Sequence, residues 1–318
     1  NNMRFGDTLS EDQFPGFTFQ YIISNPPFGI DWKREKTQVE AEAKLGYDGR
    51  FGPGLPAISD GQMLFMLNGV KKLKEGSGRM AIIQNGSSLF TGDAGSGASE
   101  IRRYLIHEDL VEAIVQLPTD LFYNTGISTY IWVLTKGKPM HRSGRVQLID
   151  ASKCFVKRRK NIGSKRVDLS DDCIDLILQA YEGFDQNDVY TADDLVVESK
   201  VFAKDFFGFT KVTVETAQAD ENGKPILKRG KKQPVKGASD SEIIPLNENI
   251  DAYMAKNVLP YNPLAYIDPA KDKIGYEIPF TRLFYKFEAP EPSASIFEDI
   301  KTLEAKETVL MKELFGNA

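Results

Sequence analysis

The sequence predicts an α/β fold, and three observations carry that prediction. From Phe17 to Asp150, short runs rich in β-branched and aromatic residues alternate with segments whose apolar residues recur at helical spacing, the pattern of helices layered on a sheet. The runs are punctuated by strong turn formers, Asn25-Pro26-Pro27 and Gly76-Ser77-Gly78 among them. With 318 residues, 41% hydrophobic and 11% aromatic, the chain can bury the core of one large domain or two smaller ones.

The elements follow in order. Phe17-Thr18-Phe19-Gln20-Tyr21-Ile22-Ile23-Ser24 reads as a strand buried near its end, and two consecutive prolines stop it because neither donates a ladder hydrogen bond. Residues 33–59 are polar and glycine-punctuated, a long loop of the kind that is either functional or disordered. Ser59 or Asp60 caps a helix carrying Met63, Met66, Leu67, Val70 and Leu73. A strand over Arg79–Gln84 comes next. The glycine-rich stretch Gly92–Gly97 then precedes a short helix from about Ser99 to Ile106. Strands are expected at Leu110–Leu117, Ile127–Leu134 and Arg145–Ile149, in a mixed sheet.

After Asp150 the character changes. Lys153, Lys157, Arg158, Arg159, Lys160, Lys165 and Arg166 form one basic stretch, a helix is expected around Leu169–Tyr181, and a second basic stretch runs from Lys224 to Lys236. Either stretch would suit DNA phosphates or a solvated loop. Near the C-terminus Ile296, Ile300, Leu303, Leu310 and Leu314 keep a heptad register, broken at Glu307, which asks for a partner helix from this chain or another.

Composition excludes several classes. Cys154 and Cys173 lack metal-site spacing and His107 and His141 are far apart in sequence, so neither a disulfide scaffold nor a cysteine/histidine zinc site is expected, and the compartment is the reducing, cytoplasmic one. No apolar run approaches the ~18 residues of a membrane span. A net charge of −5 argues against a wholly basic DNA-coating protein. The opening Asn1-Asn2-Met3-Arg4-Phe5-Gly6-Asp7 is no targeting segment, and the chain is expected to begin partway through a fold.

The motif that carries chemistry is Asn25-Pro26-Pro27-Phe28-Gly29. In open α/β sheets ligands sit beyond the carboxyl ends of strands. An exocyclic amine on a nucleobase is a poor nucleophile because its lone pair is delocalised into the ring. Two acceptors on its two N–H bonds favour a tetrahedral nitrogen. The Asn25 side-chain oxygen and the Pro26 carbonyl can supply them on a backbone stiffened by proline, and Phe28 can stack on a base taken out of the duplex. The plain alternative is an ordinary Asn-Pro turn.

These residues resemble those of the amino-methylating DNA methyltransferases, specifically the modification (M) subunit of type I restriction-modification systems. The matching stretches are Gly6–Leu9, Tyr21–Gly29, Ser59–Gly61, Gly78–Ile83, Glu100–Arg103, Leu121–Ile127 and Ile274–Thr281. The resemblance implies transfer of a methyl group from S-adenosyl-L-methionine to adenine N6 in double-stranded DNA. It implies Asn25, Pro26, Pro27 and Phe28 as the catalytic tetrapeptide, with Asp7 and Pro27 at the cofactor; Asp7 is equally readable as a turn aspartate. It also implies a specificity (S) subunit as partner through the C-terminal helix, and a restriction (R) subunit alongside. Phe122 and Tyr123 offer a second stacking face for the base, or are core and rim residues.

One departure from the family is large. The glycine-rich cofactor motif expected ahead of Asp7 is absent, and Gly92–Gly97 comes too late to replace it. The expected fold is therefore the later part of a Rossmann-like S-adenosylmethionine-dependent methyltransferase sheet plus a C-terminal region ending in a long heptad-patterned helix. The expected domains are 1–150 for the catalytic portion, 151–215 for a basic stretch and helical extension, and 216–318 for a C-terminal assembly region. The fragment alone is expected to bind cofactor poorly and to be inactive. Two alternatives stand beside this reading: a non-catalytic DNA-binding or scaffold subunit, and a methyltransferase acting on protein glutamine or RNA.

Overall fold

The computed structural model describes residues 3–184, 187–287 and 289–316; the opening Asn1-Asn2 pair lies outside them. By contacts the chain falls into two units, one running to Phe280 and one from Thr281.

The first unit is built on a seven-stranded mixed sheet. In chain order it contains β1 (Tyr21–Ser24), α1 (Lys36–Ala43), α2 (Gln62–Lys71), β2 (Arg79–Asn85), α3 (Ser87–Phe90), α4 (Gly97–His107), β3 (Val111–Gln116), β4 (Thr129–Thr135) and β5 (Arg145–Asp150). A hairpin of β6 (Val156–Ile162) and β7 (Lys165–Asp168) follows, then α5 (Asp171–Gly183), β8 (Asn187–Ala192) and β9 (Leu195–Ala203). The strand order is β1-β2-β4-β3-β5-β9-β8. β1 and β2 run parallel, as do β3 and β5, while β4 lies antiparallel between β2 and β3. The carboxyl ends of β1, β2, β3 and β5 therefore share one rim with the amino end of β4. Burial explains the sheet's centre: Ile82, Ile114, Trp132 and Leu148 are fully buried, as β-branched and aromatic residues covered on both faces should be.

A second, antiparallel sheet follows, made of β10 (Gly208–Ala217), β13 (Pro234–Pro245), β14 (Ala265–Ile267) and β15 (Lys273–Tyr276), with β11 (Leu227–Lys228) and β12 (Lys231–Lys232) as a separate small hairpin. The short helix α6 (Ile250–Tyr253) lies between β13 and β14. Val212, Ile244, Met254 and Ala265 form this sheet's core. The helix α7 (Phe280–Phe284) comes next. The second unit contains the 23-residue helix α8 (Ser293–Phe315), none of whose residues is buried.

At the amino ends of the strands sits a buried ionic network. Glu112, fully buried where β3 bulges between Val111 and Ala113, accepts from Arg79 Nη2 at 2.6 and 2.5 Å and from the Tyr181 hydroxyl at 2.7 Å. Arg142 Nε lies 3.6 Å away, its guanidinium over the rings of Tyr181 and Phe184. Burial, then the bond to Glu112, pushes the Tyr181 hydroxyl up to about 12.

The structure departs from the sequence expectation in four places. The first strand is Tyr21–Ser24 alone, and it is an edge strand: Tyr21 and Ile23 are 73% and 90% exposed, because the described residues pair it on one side only. Phe19 instead makes a short bridge to Leu73. Residues 33–59 are largely ordered through α1 and a tight turn at Gly46–Asp48. There Arg50 is buried and donates to Glu42, Asn68 and the carbonyls of Thr8 and Leu9, so its charge is spent inside the fold. Beyond Asp150 the chain is strand-rich, and β8 and β9 extend the same sheet as β1–β5. Finally, the exposed apolar residues of α8 include Phe297, Val309, Met311 and Phe315 as well as the heptad positions, a broader face than one seam.

Candidate active site at the carboxyl rim

β1 delivers its last residue, Ser24, to the rim, and Asn25-Pro26-Pro27-Phe28 follows immediately. Pro26 is buried and anchors the turn; Asn25 and Pro27 are exposed and Phe28 half-buried. Among the described residues nothing hydrogen-bonds the Asn25 side chain, which leaves its amide facing solvent. Gly29 ends the turn with φ +67°, a conformation that strongly favours glycine.

The turn is clamped from behind. Gly29 N–H donates to Asp60 Oδ1 at 3.4 Å, Gly61 N–H to the Ile30 carbonyl and Trp32 N–H to the Ile58 carbonyl, both at 3.0 Å. Trp32, buried, also donates its indole N–H to the Ala57 carbonyl at 3.0 Å. Asp60 is the hub. Its Oδ2 accepts from Gln62 Nε2 at 2.7 Å and lies 2.9 Å from the Ser87 hydroxyl. Gln62, buried at the start of α2, bonds Asn85 at 2.7 Å through Nε2, and its Oε1 accepts the Asn85 N–H at 3.0 Å. The carboxyl ends of β1 and β2 and the amino end of α2 are thus tied through Asp60, Gln62, Asn85 and Ser87. α3 is held in turn by Arg102, whose buried guanidinium donates to the carbonyls of Ser88, Thr91 and Tyr276; burial pushes Arg102 down to about 10. Two stretches that carry the family resemblance, 100–103 and 274–281, therefore meet behind the rim.

Beside β1 an open cleft of about 560 Å³ is lined by Gly6, Thr8, Tyr21, Ile23, Pro26 and Phe65, among others. Its lining joins Gly6 and Thr8, on either side of Asp7, to Pro26, the buried member of the tetrapeptide. Asp7 itself is exposed and closes a turn, accepting the N–H groups of Leu9 at 2.8 Å and Ser10 at 3.4 Å. Burial raises its carboxyl, but the Leu9 and Ser10 contacts and a hydrogen bond with Glu35 outweigh that and hold it below 3.8. Burial and Asp7 push Glu35 up.

Loop 117–128 stands on the same rim, three strand steps from the tetrapeptide and so about 14 Å away across the sheet. Phe122 packs against the core around Leu117, Cys154 and Cys173. Tyr123 is exposed, with the Lys165 ammonium 5.4 Å from its ring centre. The structure thus puts Pro26 on one cleft wall with Gly6 and Thr8, which flank Asp7; Asn25, Pro27 and Phe28 adjoin Pro26 in the turn, and Phe122 and Tyr123 are set apart. Gln62, Asn85 and Ser87 went unread in the sequence. Asn85-Gly86-Ser87 closing the parallel strand next to the motif was the available signal.

As a cofactor site this opening is one-sided. S-adenosylmethionine has a cationic sulfonium flanked by an amino-acid end and an adenosine end, and each needs its own polar contacts. Tyr21, Ile23 and Pro26 offer one apolar wall with Asp7 nearby; among the described residues no glycine-rich turn follows a strand ahead of β1. The described residues supply one side of such a site and not the other.

The mixed sheet and its helices make an α/β protein, and a family match makes it a methyltransferase-like one. A sequence model of the N-6 DNA methylase family matches residues 1–222, and the chain belongs to that family. It is a homologue of type I restriction-modification M subunits. It is similar to the methylase subunit of the type I restriction enzyme MjaIX of Methanocaldococcus jannaschii, 28% identical over 164 residues, covering 51% of this chain and 28% of that protein. The methylase subunit of the type I restriction enzyme MpnII of Mycoplasma pneumoniae is 30% identical over 159 residues, covering 49% of this chain and 27% of that protein. Among solved structures, the methyltransferase subunit of a type I restriction-modification system from Streptococcus thermophilus matches with TM-score 0.51 and 29% identity, covering 63% of this chain and 38% of that one. The chain spans less than a third of the length of these curated relatives. No helix among the described residues is long and apolar enough to cross a membrane.

Proposed function

We propose that this chain is the catalytic part of a cytoplasmic type I M subunit, which transfers a methyl group to adenine N6 in double-stranded DNA. The observation that supports it best is the exposed Asn25 amide at the end of β1, on a turn fixed by two prolines and clamped through Asp60. In this reading the Asn25 side-chain oxygen and the Pro26 carbonyl accept the two N–H bonds of the target amine, and the half-buried Phe28 stacks on the flipped base. S-adenosylmethionine, held together with a cofactor-binding half, would supply the electrophilic methyl group, its sulfonium leaving as a neutral thioether. The chain's own contribution is to orient the amine lone pair and hold it there. The surplus amine proton leaves to solvent, which reaches Asn25.

Asp7 and Pro27 sit at the cofactor side of the turn in this reading, while Phe122, packed against the core, and Tyr123 stand too far across the sheet to stack on the same base as Phe28. The exposed apolar face of α8 suits the helices of a specificity subunit, which supplies target recognition, and a restriction subunit joins that assembly. The test is reconstitution with a cofactor-binding half and a specificity subunit, followed by transfer of labelled methyl groups to duplex DNA. Transfer that disappears in Asn25→Ala while the complex still assembles supports the reading. A complete complex that binds DNA but never methylates it makes the chain a scaffold subunit instead, and transfer to protein or RNA but not DNA moves the substrate class.

A further inference from the structure

The β6–β7 hairpin is an arm with far more charge than its fold uses. Between Lys153 and Asp168 the chain carries seven cations and one acid, Asp168. That acid is already taken by Arg158 at 2.5 Å and Lys165 at 2.9 Å. Lys153, Lys157, Arg159, Lys160 and Arg166 are exposed, and among the described residues none of them makes an ion pair. Four of these like charges lie on one short hairpin and Lys153 just ahead of it; they repel one another, so the arrangement is unfavourable unless an anionic partner takes it up.

The arm is also rigidly placed. Ser164 N–H donates to the Tyr123 carbonyl at 2.9 Å, and the N–H groups of Arg166 and Val167 donate to the Asp120 carbonyl at 2.8 and 3.4 Å. Gly163 has φ +59°, and a Cβ there would come within 2.5 Å of the Tyr123 carbonyl oxygen, so a side chain at 163 would prise the arm off. These bonds fasten the hairpin to loop 117–128 on the carboxyl rim. The arm leaves from the end of β5, four strand steps from β1, or about 19 Å across the sheet. That is a little over half a turn of B-form duplex.

We propose that the β6–β7 hairpin is a DNA-backbone clamp, in which Lys157, Arg159, Lys160 and Arg166 neutralise phosphates to one side of the base presented to Asn25. The clamp rests on the DNA reading above but not on catalysis. On an extended strand alternate residues share a face about 6.7 Å apart, so Lys157 and Arg159 stand on one side of β6 and Lys160 follows next to them. Because the contacts are ionic, they set affinity and its salt dependence without reading sequence.

The test uses the full chain in its assembled complex and a fluorescent duplex carrying the target site, titrated at several potassium chloride concentrations. The triple variant Lys157→Ala, Arg159→Ala, Lys160→Ala leaves Arg158, Lys165 and Asp168 in place, so the hairpin keeps its own ion pairs. The expected result is a log K against log salt slope shallower by roughly 2 to 3, since each lost phosphate contact removes about 0.9. An unchanged slope overturns the clamp. So does an unchanged slope accompanied by weaker subunit assembly, which would assign the arm to an acidic protein surface. Methyl transfer is measured on the same samples. Wild-type complex that binds without methylating refutes the catalytic reading alone, whereas intact transfer with an unchanged slope refutes the clamp alone.

Discussion

The two rims of the main sheet carry two polar networks, built from similar residue types to opposite ends. At the amino rim Glu112 is sealed, and its oxygens are matched by Arg79, Tyr181 and Arg142. At the carboxyl rim Asp60 is only half-buried and holds the Gly29 N–H of the Asn25–Gly29 turn along with Gln62 and Ser87. A closed network locks strands together, and removing a member strands a buried charge. An open network positions something beside it, and removing a member loosens geometry more than it unfolds the chain. The difference is whether an outward-facing, unengaged group stands next to the network. Asn25 does so at the carboxyl rim, and among the described residues nothing comparable lies beside Glu112.

This contrast can be broken experimentally. The largest effect is expected for Glu112→Ala, which leaves Arg79 and Arg142 facing an empty site and should lower stability in urea by about 3–5 kcal/mol. Transfer per folded molecule in the reconstituted complex should stay as it was. Next comes Asn25→Ala, expected to cut kcat by about 10²–10³-fold, the range for losing one aligned electrostatic partner of the reacting atoms, with the urea midpoint unmoved. Asp60→Asn keeps the shape but weakens the grip on Gly29 and Gln62. We expect kcat to fall roughly tenfold, about 1.4 kcal/mol, with less than ~1 kcal/mol of stability lost. A variant that unfolds like Glu112→Ala would make the Asp60 network structural and erase the contrast.

The smallest effect concerns Glu42. Burial raises its carboxyl, but hydrogen bonds from Arg50 outweigh that and hold it below 4.5. A depressed carboxylate stabilises the fold above its unfolded value and loses that contribution as pH falls through its folded one. Stability should therefore decline below pH 4.5, and Glu42→Gln should flatten that decline in acid titrations followed by circular dichroism.

Much of the rim was legible in sequence because it is written locally. Proline cannot continue a ladder, so Asn25-Pro26-Pro27 marked the end of β1, which the structure places at Ser24, and with it the candidate site. The strands at 79–85, 111–116, 129–135 and 145–150 and the helix at 62–71 follow from periodicity. What escaped was written across distance. Gln62 and Asn85 lie 23 residues apart and show their relation only once α2 packs on β2. Arg50 reads as a surface cation until Glu42, Asn68 and two carbonyls surround it. The second sheet was missed because β13 is exposed along most of its length, so its pattern lacks the alternation that announces a half-buried strand.

One feature of the fold bears on how the molecule behaves outside any assembly. β1 is uncharged from Tyr21 to Ser24, turns two large apolar side chains outward, and is paired on one side only among the described residues. Sheets normally guard such a border with lysine, proline or a bulge, and none lies within these four residues. A border of this kind recruits whatever strand it meets, including the same strand of another copy. Covering it is thus a condition for keeping the chain dispersed at high concentration, and light scattering should report that before any assay of chemistry does.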